Sequence, residues 1–154
     1  MKRQAIFMVG APNSGKSTYI DEHDAYSNFK IISRDDMVMR LANTKKYDDA
    51  WKLVDQKEVD KELRKDFEHC IANGHHFVID MTNMSKKSRK KWIDGINKEL
   101  YELRAIVFRT PLETLLERNK QRTGKFIPEH VIRAMFEAYE EPTMEEGFVE
   151  VFYV

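Results

Sequence analysis

The segment Gly10 to Thr18, GAPNSGKST, constrains this chain more than any other feature. It meets the pattern G-x-x-x-x-G-K-[ST] with Gly10, Gly15, Lys16 and Ser17. Glycines at these positions let the backbone turn so that successive N–H groups, with Asn13, Ser14 and Thr18 in the same run, point into one concavity at a helix N-terminus. An anion nest of that kind holds nucleotide phosphates, with Lys16 reaching the β- and γ-phosphates and the Ser17 hydroxyl on Mg²⁺. The plain alternative is a glycine-rich turn that only links two elements. The flanks decide between them. Gln4 to Val9 reads as a strand and Gly15 to about His23 as a helix, which is the strand–loop–helix context the nest requires. The expected ligands are ATP, or another NTP, and Mg²⁺.

Residues 1–154 read as a single domain, long enough for a real core and too short for two. Hydrophobic residues at 42% and charged residues at 34% suit a soluble globular chain rather than a disordered one. Lys plus Arg equals Asp plus Glu at 26 each, which argues against non-specific coating of nucleic acid but leaves room for a local basic groove. One cysteine, Cys70, permits no internal disulfide and points to a reducing cytoplasm, the host's if the chain is phage-encoded. The N-terminal MKRQAIFMVG begins basic, but its apolar run is too short for a signal peptide. No stretch approaches the roughly 18 apolar residues of a membrane helix.

Strand-like and helix-like segments alternate throughout. Phe29 to Ser33 reads as a second strand. A long helix spans about Tyr47 to Asn73, with Trp51, Val54, Val59, Leu63, Phe67, Cys70 and Ile71 on one buried stripe and Gly74 as its stop. His76 to Asp80 is a third strand, Ser85 caps a basic helix that buries Trp92, Ile93, Ile96 and Leu100, and Leu103 to Phe108 is a fourth strand. Thr110-Pro111-Leu112-Glu113 reads as a capping box that opens a further helix. Pro128 begins another, Pro142 ends it, and Phe148 to Tyr153 is a final strand. Short apolar strands separated by helices predict an α/β fold, a parallel sheet with helices on both faces. Ligands of such sheets bind beyond the carboxyl ends of the strands, so the loops after Val9, Ser33, Asp80 and Phe108 matter most.

Those loops carry the remaining candidates. Ile31-Ile32-Ser33-Arg34-Asp35-Asp36 sets two carboxylates just past the second strand. Phosphoryl transfer to a hydroxyl needs a proton acceptor, and either aspartate suits the role. Equally, Ser33 and Asp36 suit a helix start, where a capping hydroxyl and an acidic first turn are favourable. Asp80 ends the third strand near where Mg²⁺ would sit, or else closes an Asx-type turn with Thr82 and Asn83. Arg118, Arg122 and Lys125 lie in ERNKQRTGKFIP, a basic segment between two helices with the character of a lid closing on a phosphoryl group. The run Lys86, Lys87, Arg89, Lys90 and Lys91 is the one strong basic cluster, either a solvated face or a track for a polyanion.

Together, GAPNSGKST, ISRDD, the VIDMTN turn and LLERNKQRTGKFIPEHVIRAM resemble the 5′-kinase domain of phage polynucleotide kinase–phosphatase and related P-loop polynucleotide kinases, along nearly the whole chain. The resemblance implies a kinase-type P-loop sheet of strand order 2-3-1-4-5 with an arginine-bearing lid. It implies that Lys16 and Ser17 hold ATP·Mg²⁺ and that Asp35 is the general base towards a 5′-hydroxyl. Arg122 would stabilise the transferring phosphate, Arg118 would lie on the nucleotide, and Asp80 would organise the site indirectly. The acceptor would be a 5′-hydroxyl end of RNA or DNA, contacted by Arg34, Arg40, Thr82, Asn83 and Lys86. Self-association is left open. The family carries an acceptor-binding arginine three residues after the base; Val38 stands there, with Arg40 two residues later as a substitute. The family's phosphatase domain would begin where this chain stops, so the expectation covers the kinase half only.

Two rival readings remain. One is a P-loop kinase for a small hydroxylated metabolite or nucleoside. The other is an NTP-binding module without transfer activity, which would need neither Asp35 nor Arg122.

Overall fold

The computed structural model describes residues 1–154. Its elements run β1 (Arg3–Val9), α1 (Lys16–Glu22), β2 (Lys30–Ser33), α2 (Arg34–Ala42), α3 (Tyr47–Leu53), α4 (Gln56–Ala72) and β3 (Phe77–Asp80). They continue through α5 (Lys86–Ile93), β4 (Tyr101–Val107), α6 (Leu112–Gln121), α7 (Glu129–Glu137) and β5 (Phe148–Tyr153). The strands form one sheet of order β2-β3-β1-β4-β5, and every neighbouring pair is parallel. This is the expected order.

The handedness of parallel crossovers determines which face each helix covers. The chain steps from β1 outward past β3's place to β2, then moves in the opposite direction from β2 to β5. One reversal puts α1 alone on one face and all later helices on the other. The two cores have that inequality. Ala5, Phe7 and Val9 of β1 point into a cluster of 25 buried residues drawing on α2 to α7, with Met37, Ala50, Leu63, Phe67, Trp92, Leu115 and Ile132 among them. Ile6 and Met8, the alternate residues, point into a cluster of 6 with Ile20 of α1, Val78, Ile106 and Phe108. Alternation along a strand sends successive side chains to opposite faces, so β1 serves both cores. Seven-residue α1 covers only part of its face. Beyond it that face is polar, where Arg104 pairs with Glu102 at 2.9 Å and approaches Glu150 at 3.8 Å.

Register aligns the functional loops. Met8 and Ser33 both lie opposite Asp80, and Val9 lies opposite Val107. Gly10, Arg34 and the residues after Asp80 therefore leave the sheet at one level.

Three local expectations are corrected. The helix expected from Tyr47 to Asn73 is two helices, because Asp55 caps α4 with its carboxylate on the Lys57 N–H at 3.0 Å. The break turns α3 away from the stripe, and Trp51 is 41% exposed instead of buried. Leu100, expected in the core, is exposed just before β4. At Thr110 the capping box does not form; its hydroxyl donates to the Ser14 carbonyl at 3.1 Å, and Pro111 holds the cap position. Elsewhere local chemistry gives the expected result: Ser33 accepts from Asp36 N–H, and Ser85 forms a reciprocal box with Ser88.

Candidate active site

The loops at the carboxyl edge of the sheet enclose a cleft of about 960 Å³. Ligand pockets run roughly 300–1,000 Å³, so the space suits a nucleotide together with part of an acceptor.

On the donor side is the glycine loop. Gly15 caps α1 at φ 101°, left-handed backbone that an L side chain rarely adopts, and Asn13 is also left-handed at φ 71°. A Cβ on Gly10 would lie 2.5 Å from Ser14 Oγ and 3.0 Å from Phe108 Cβ, so that position admits only glycine without a shift. The first N–H groups of a helix have no intrahelical acceptor. With glycine at the cap, no side-chain oxygen takes them. Ser14 Oγ is buried and has no hydrogen-bond partner. Lys16 Nζ donates to the Gly10 and Ala11 carbonyls at 2.7 and 2.9 Å. Desolvation lowers its pKa to about 8, against the opposing pull of Asp80. A free set of N–H donors, an unpartnered hydroxyl and a desolvated cation fit a triphosphate, which would restore the lysine's charge.

Ser17 Oγ donates to Asp80 Oδ2 at 2.9 Å. Burial pushes the Asp80 carboxyl up, opposed by that hydrogen bond and by Lys16. A hydroxyl backed by a carboxylate fits the coordination needs of Mg²⁺. Ser17 would take the ion, with Asp80 behind it.

The lid segment lies over both sides. Arg118 donates to the Asn13 carbonyl at 2.9 Å, and Arg122 donates to the Asn13 side-chain oxygen. Asn119, buried, clasps the far end of the lid: its amide donates to Ile127 O at 2.7 Å, and its oxygen accepts from Ile127 N at 3.3 Å. Lys125 is ion-paired with Asp35. Its ammonium also lies 4.5 Å from the centre of the Tyr47 ring. Burial and the adjacent Asp35 carboxylate push the Tyr47 hydroxyl's pKa up. Asp36 is pushed up by burial and then by Asp35, and its N–H is the one held by Ser33. The cap and the cleft-lining carboxylate are thus two different residues.

The acceptor-side candidates divide. Thr82 lines the cleft, and its carbonyl accepts from Gly10 N at 2.9 Å. Arg34 lines it too, but its guanidinium is taken by Gln56, at 2.8 Å, and by Asp60. Asn83 lines the cleft at φ 48°, and its buried amide is committed to the carbonyls of Met8 and Ile79. Arg40 lies outside the cleft lining and pairs with Asp66 at 3.1 Å, and Val38, where the family arginine would stand, is buried. Lys86 also lies outside the lining. The basic run is not one face. Arg89 is wholly buried, bonded to Glu146 and to the carbonyls of Asn83 and Met84, while Lys90 pairs with Asp94. Only Lys91 of the run lines the cleft. Sequence reading had no signal for Asn119 or Tyr47, whose roles depend on contacts across the fold.

A family model described as AAA domain (AAA_33) matches residues 6–142. The chain belongs to that family. Among curated proteins it is 26% identical over 153 residues to the bifunctional polynucleotide phosphatase/kinase of Schizosaccharomyces pombe, covering 97% of this chain and 33% of that protein. It is 24% identical over 137 residues to the L-seryl-tRNA(Sec) kinase of Methanococcus maripaludis, covering 89% of this chain and 52% of that one. Among solved structures it superposes on a chain of the Pnkp1/Rnl/Hen1 RNA repair complex with a TM-score of 0.67 and 27% identity, covering 89% of this chain and 44% of the other. The likeness to polynucleotide kinases expected from the motifs is therefore present in sequence and in fold. This chain spans about a third of the length of its fission-yeast relative. No helix is long and apolar enough to cross a membrane.

Proposed function

We propose that this chain is an ATP-dependent kinase that transfers the γ-phosphate to the 5′-hydroxyl of a polynucleotide. The observation that carries the proposal is the sharing of one cleft by Lys16, Asp35 and Arg122. A nucleotide-binding module has no use for a carboxylate facing the phosphate loop across a cationic lid. The likeness to polynucleotide kinases in sequence and fold supports the polymeric acceptor.

Asp35 takes the proton of the acceptor hydroxyl as that oxygen bonds to the γ-phosphorus and the bond to the β–γ bridging oxygen breaks. Lys16 and Arg122 hold the charge that grows on the phosphoryl and leaving oxygens. Ser14 and Ser17, with the loop amides, position the nucleotide, and Arg118 closes over it. Ser17, with Asp80 behind it, would hold Mg²⁺, which would supply charge that neutralises the nucleotide phosphates. Lys125, paired with one oxygen of Asp35, links the lid to the base.

A kinase for a small hydroxylated metabolite or nucleoside would use the same groups. Offering γ-labelled ATP with a 5′-hydroxyl oligonucleotide, and separately with a panel of nucleosides and sugars, tests the proposal. Label should enter the oligonucleotide. Label in a sugar alone would give the site to a metabolite kinase, and label in nothing would favour a binding module.

A further inference from the structure

The break between α3 and α4 leaves two aromatic rings in the cleft, Tyr47 and Trp51, of which the expected single helix would have buried Trp51. Tyr47 and Trp51 are four residues apart, one above the other on one face of α3. Their ring centres are 5.7 Å apart, and both line the cleft. Tyr47 is joined to the Asp35 carboxylate through Lys125, whose ammonium pairs with Asp35 and lies 4.5 Å from the Tyr47 ring centre. Trp51 lies one helical turn, about 5.4 Å, farther along. The helix that carries them is fastened to the lid: Asp48 N donates to the Gly124 carbonyl at 3.0 Å, and the Asp48 carboxylate accepts from Phe126 N at 3.0 Å. Lys91 of α5 lines the same cleft and is exposed.

Single exposed apolar side chains are ordinary. Leu53, two residues on, is 69% exposed and outside the cleft lining, and it calls for no explanation. Trp51 differs in sharing a cleft with the proposed base and with cations. Flat π-faces beside ammonium groups match the chemistry of one ligand class, an aromatic base carrying a phosphate. Of the cations expected to meet the acceptor, Arg34 and Arg40 are paired with Asp60 and Asp66, and Arg89 of the basic run is buried against Glu146.

We propose that Trp51, supported by Tyr47, is the stacking platform for the base of the acceptor's 5′-terminal nucleotide, and that Lys91 meets the 3′-phosphate of that nucleotide. The inference rests on the kinase function proposed above and assigns its acceptor subsite. Stacking tolerates any base, so the subsite favours nucleic-acid ends without selecting sequence.

The test uses the whole chain with three acceptors: a 5′-hydroxyl oligonucleotide, the same strand with an abasic 5′-terminal sugar, and a nucleoside 3′-monophosphate. Trp51→Ala and Trp51→Leu should each raise KM for the intact strand by roughly 5- to 100-fold, the usual loss when a stacked ring is removed. Trp51→Phe should restore most of it, and Leu53→Ala should change nothing. ATP KM and Tm should hold in all of them, and Trp51→Leu keeps apolar bulk in case alanine unfolds α3. The abasic strand should show the raised KM already in the wild type, with no further loss in Trp51→Leu, because the same contact is missing either way. Lys91→Met should raise KM for the 3′-monophosphate and lower the salt slope of the oligonucleotide's KM by about 0.7, one phosphate contact. A wild-type KM in Trp51→Leu, or losses from abasic strand and variant that multiply, would overturn the platform. An unchanged 3′-monophosphate KM in Lys91→Met would overturn the phosphate contact. Failure of the wild type to label any 5′-hydroxyl strand would instead remove the proposed function, and the subsite with it.

Discussion

On the donor side of the cleft, Lys16 rests on the carbonyls of Gly10 and Ala11, six and five residues away in the chain. On the acceptor side, Asp35 is held by Lys125, ninety residues away. The first arrangement is local: glycine conformations and a helix start determine it. The second exists only when the lid, α2 and α3 come together. The two sides should therefore fail in different ways.

The sharpest separation comes from paired variants. Asp35→Ala should lower kcat by about 10²–10⁴, the usual contribution of a positioned base, and leave ATP affinity within about twofold. Lys16→Ala should reduce both ATP affinity and rate, since its charge serves the ground state and the transition state. Steady-state kinetics with equilibrium ATP binding reads both. An Asp35→Ala enzyme that transfers normally while Asp36→Ala is dead would move the base to Asp36.

Arg122 bridges the two sides, holding Asn13 from the lid. Arg122→Ala should reduce kcat by about 10²–10³ and weaken ATP binding far less, because its charge matters most when charge develops. Equal losses would make it a ground-state ligand of the nucleotide and leave the lid role to Arg118 or Lys125.

The pH dependence of stability isolates the donor side. Lys16 has a pKa of about 8 in the fold, against 10.5 when free. Between those values the unfolded chain binds more protons than the folded one, so this group makes stability rise as pH climbs through the window. Below pH 8 the cost of the buried charge is present in full. Denaturant unfolding of wild type and Lys16→Met from pH 7 to 11 should show the wild type gaining on the variant with pH. A constant difference would mean that the ammonium is not desolvated in solution.

The smallest effect tests the acceptor side. Lys125→Met removes the pair with Asp35 and the contact with Tyr47, interactions worth about 1 kcal/mol together at a partly exposed site. The lid should open about fivefold more often, read as faster tryptic cleavage at Arg118 and Arg122. Unaltered cleavage would show that the contacts of Asn119, Asp48 and Arg122 hold the lid shut without Lys125.

The donor side was legible because its chemistry is written in adjacent residues. Gly10, Gly15, Lys16 and Ser17 can satisfy their spacing in few ways, and alternating strands and helices dictate a parallel sheet. Right-handed crossovers then leave α1 on its own face. Less was legible opposite. Arg89 and Lys91 are two apart in a uniformly basic run, yet Arg89 is wholly buried against Glu146 and Lys91 faces the cleft. Helical spacing separates such residues by about 200°, but only the packing of α5 decides which side is inside.

Trp51 marks the same boundary. Its spacing to Val54 and Val59 fits one continuous stripe, and a single carboxylate, Asp55 on the Lys57 N–H, ends that continuity. Sequence by itself determined the phosphate loop, the strand order through its family likeness, and Ser33 and Ser85 as caps. The loop and the caps depend on residues within a few positions of one another, where backbone geometry leaves little choice. Tertiary structure alone decided that Arg34 and Arg40 are engaged, that Asn119 clasps the lid and that Lys125 joins Tyr47 to Asp35. Those contacts join residues far apart in the chain, and which pairs form depends on how whole helices pack.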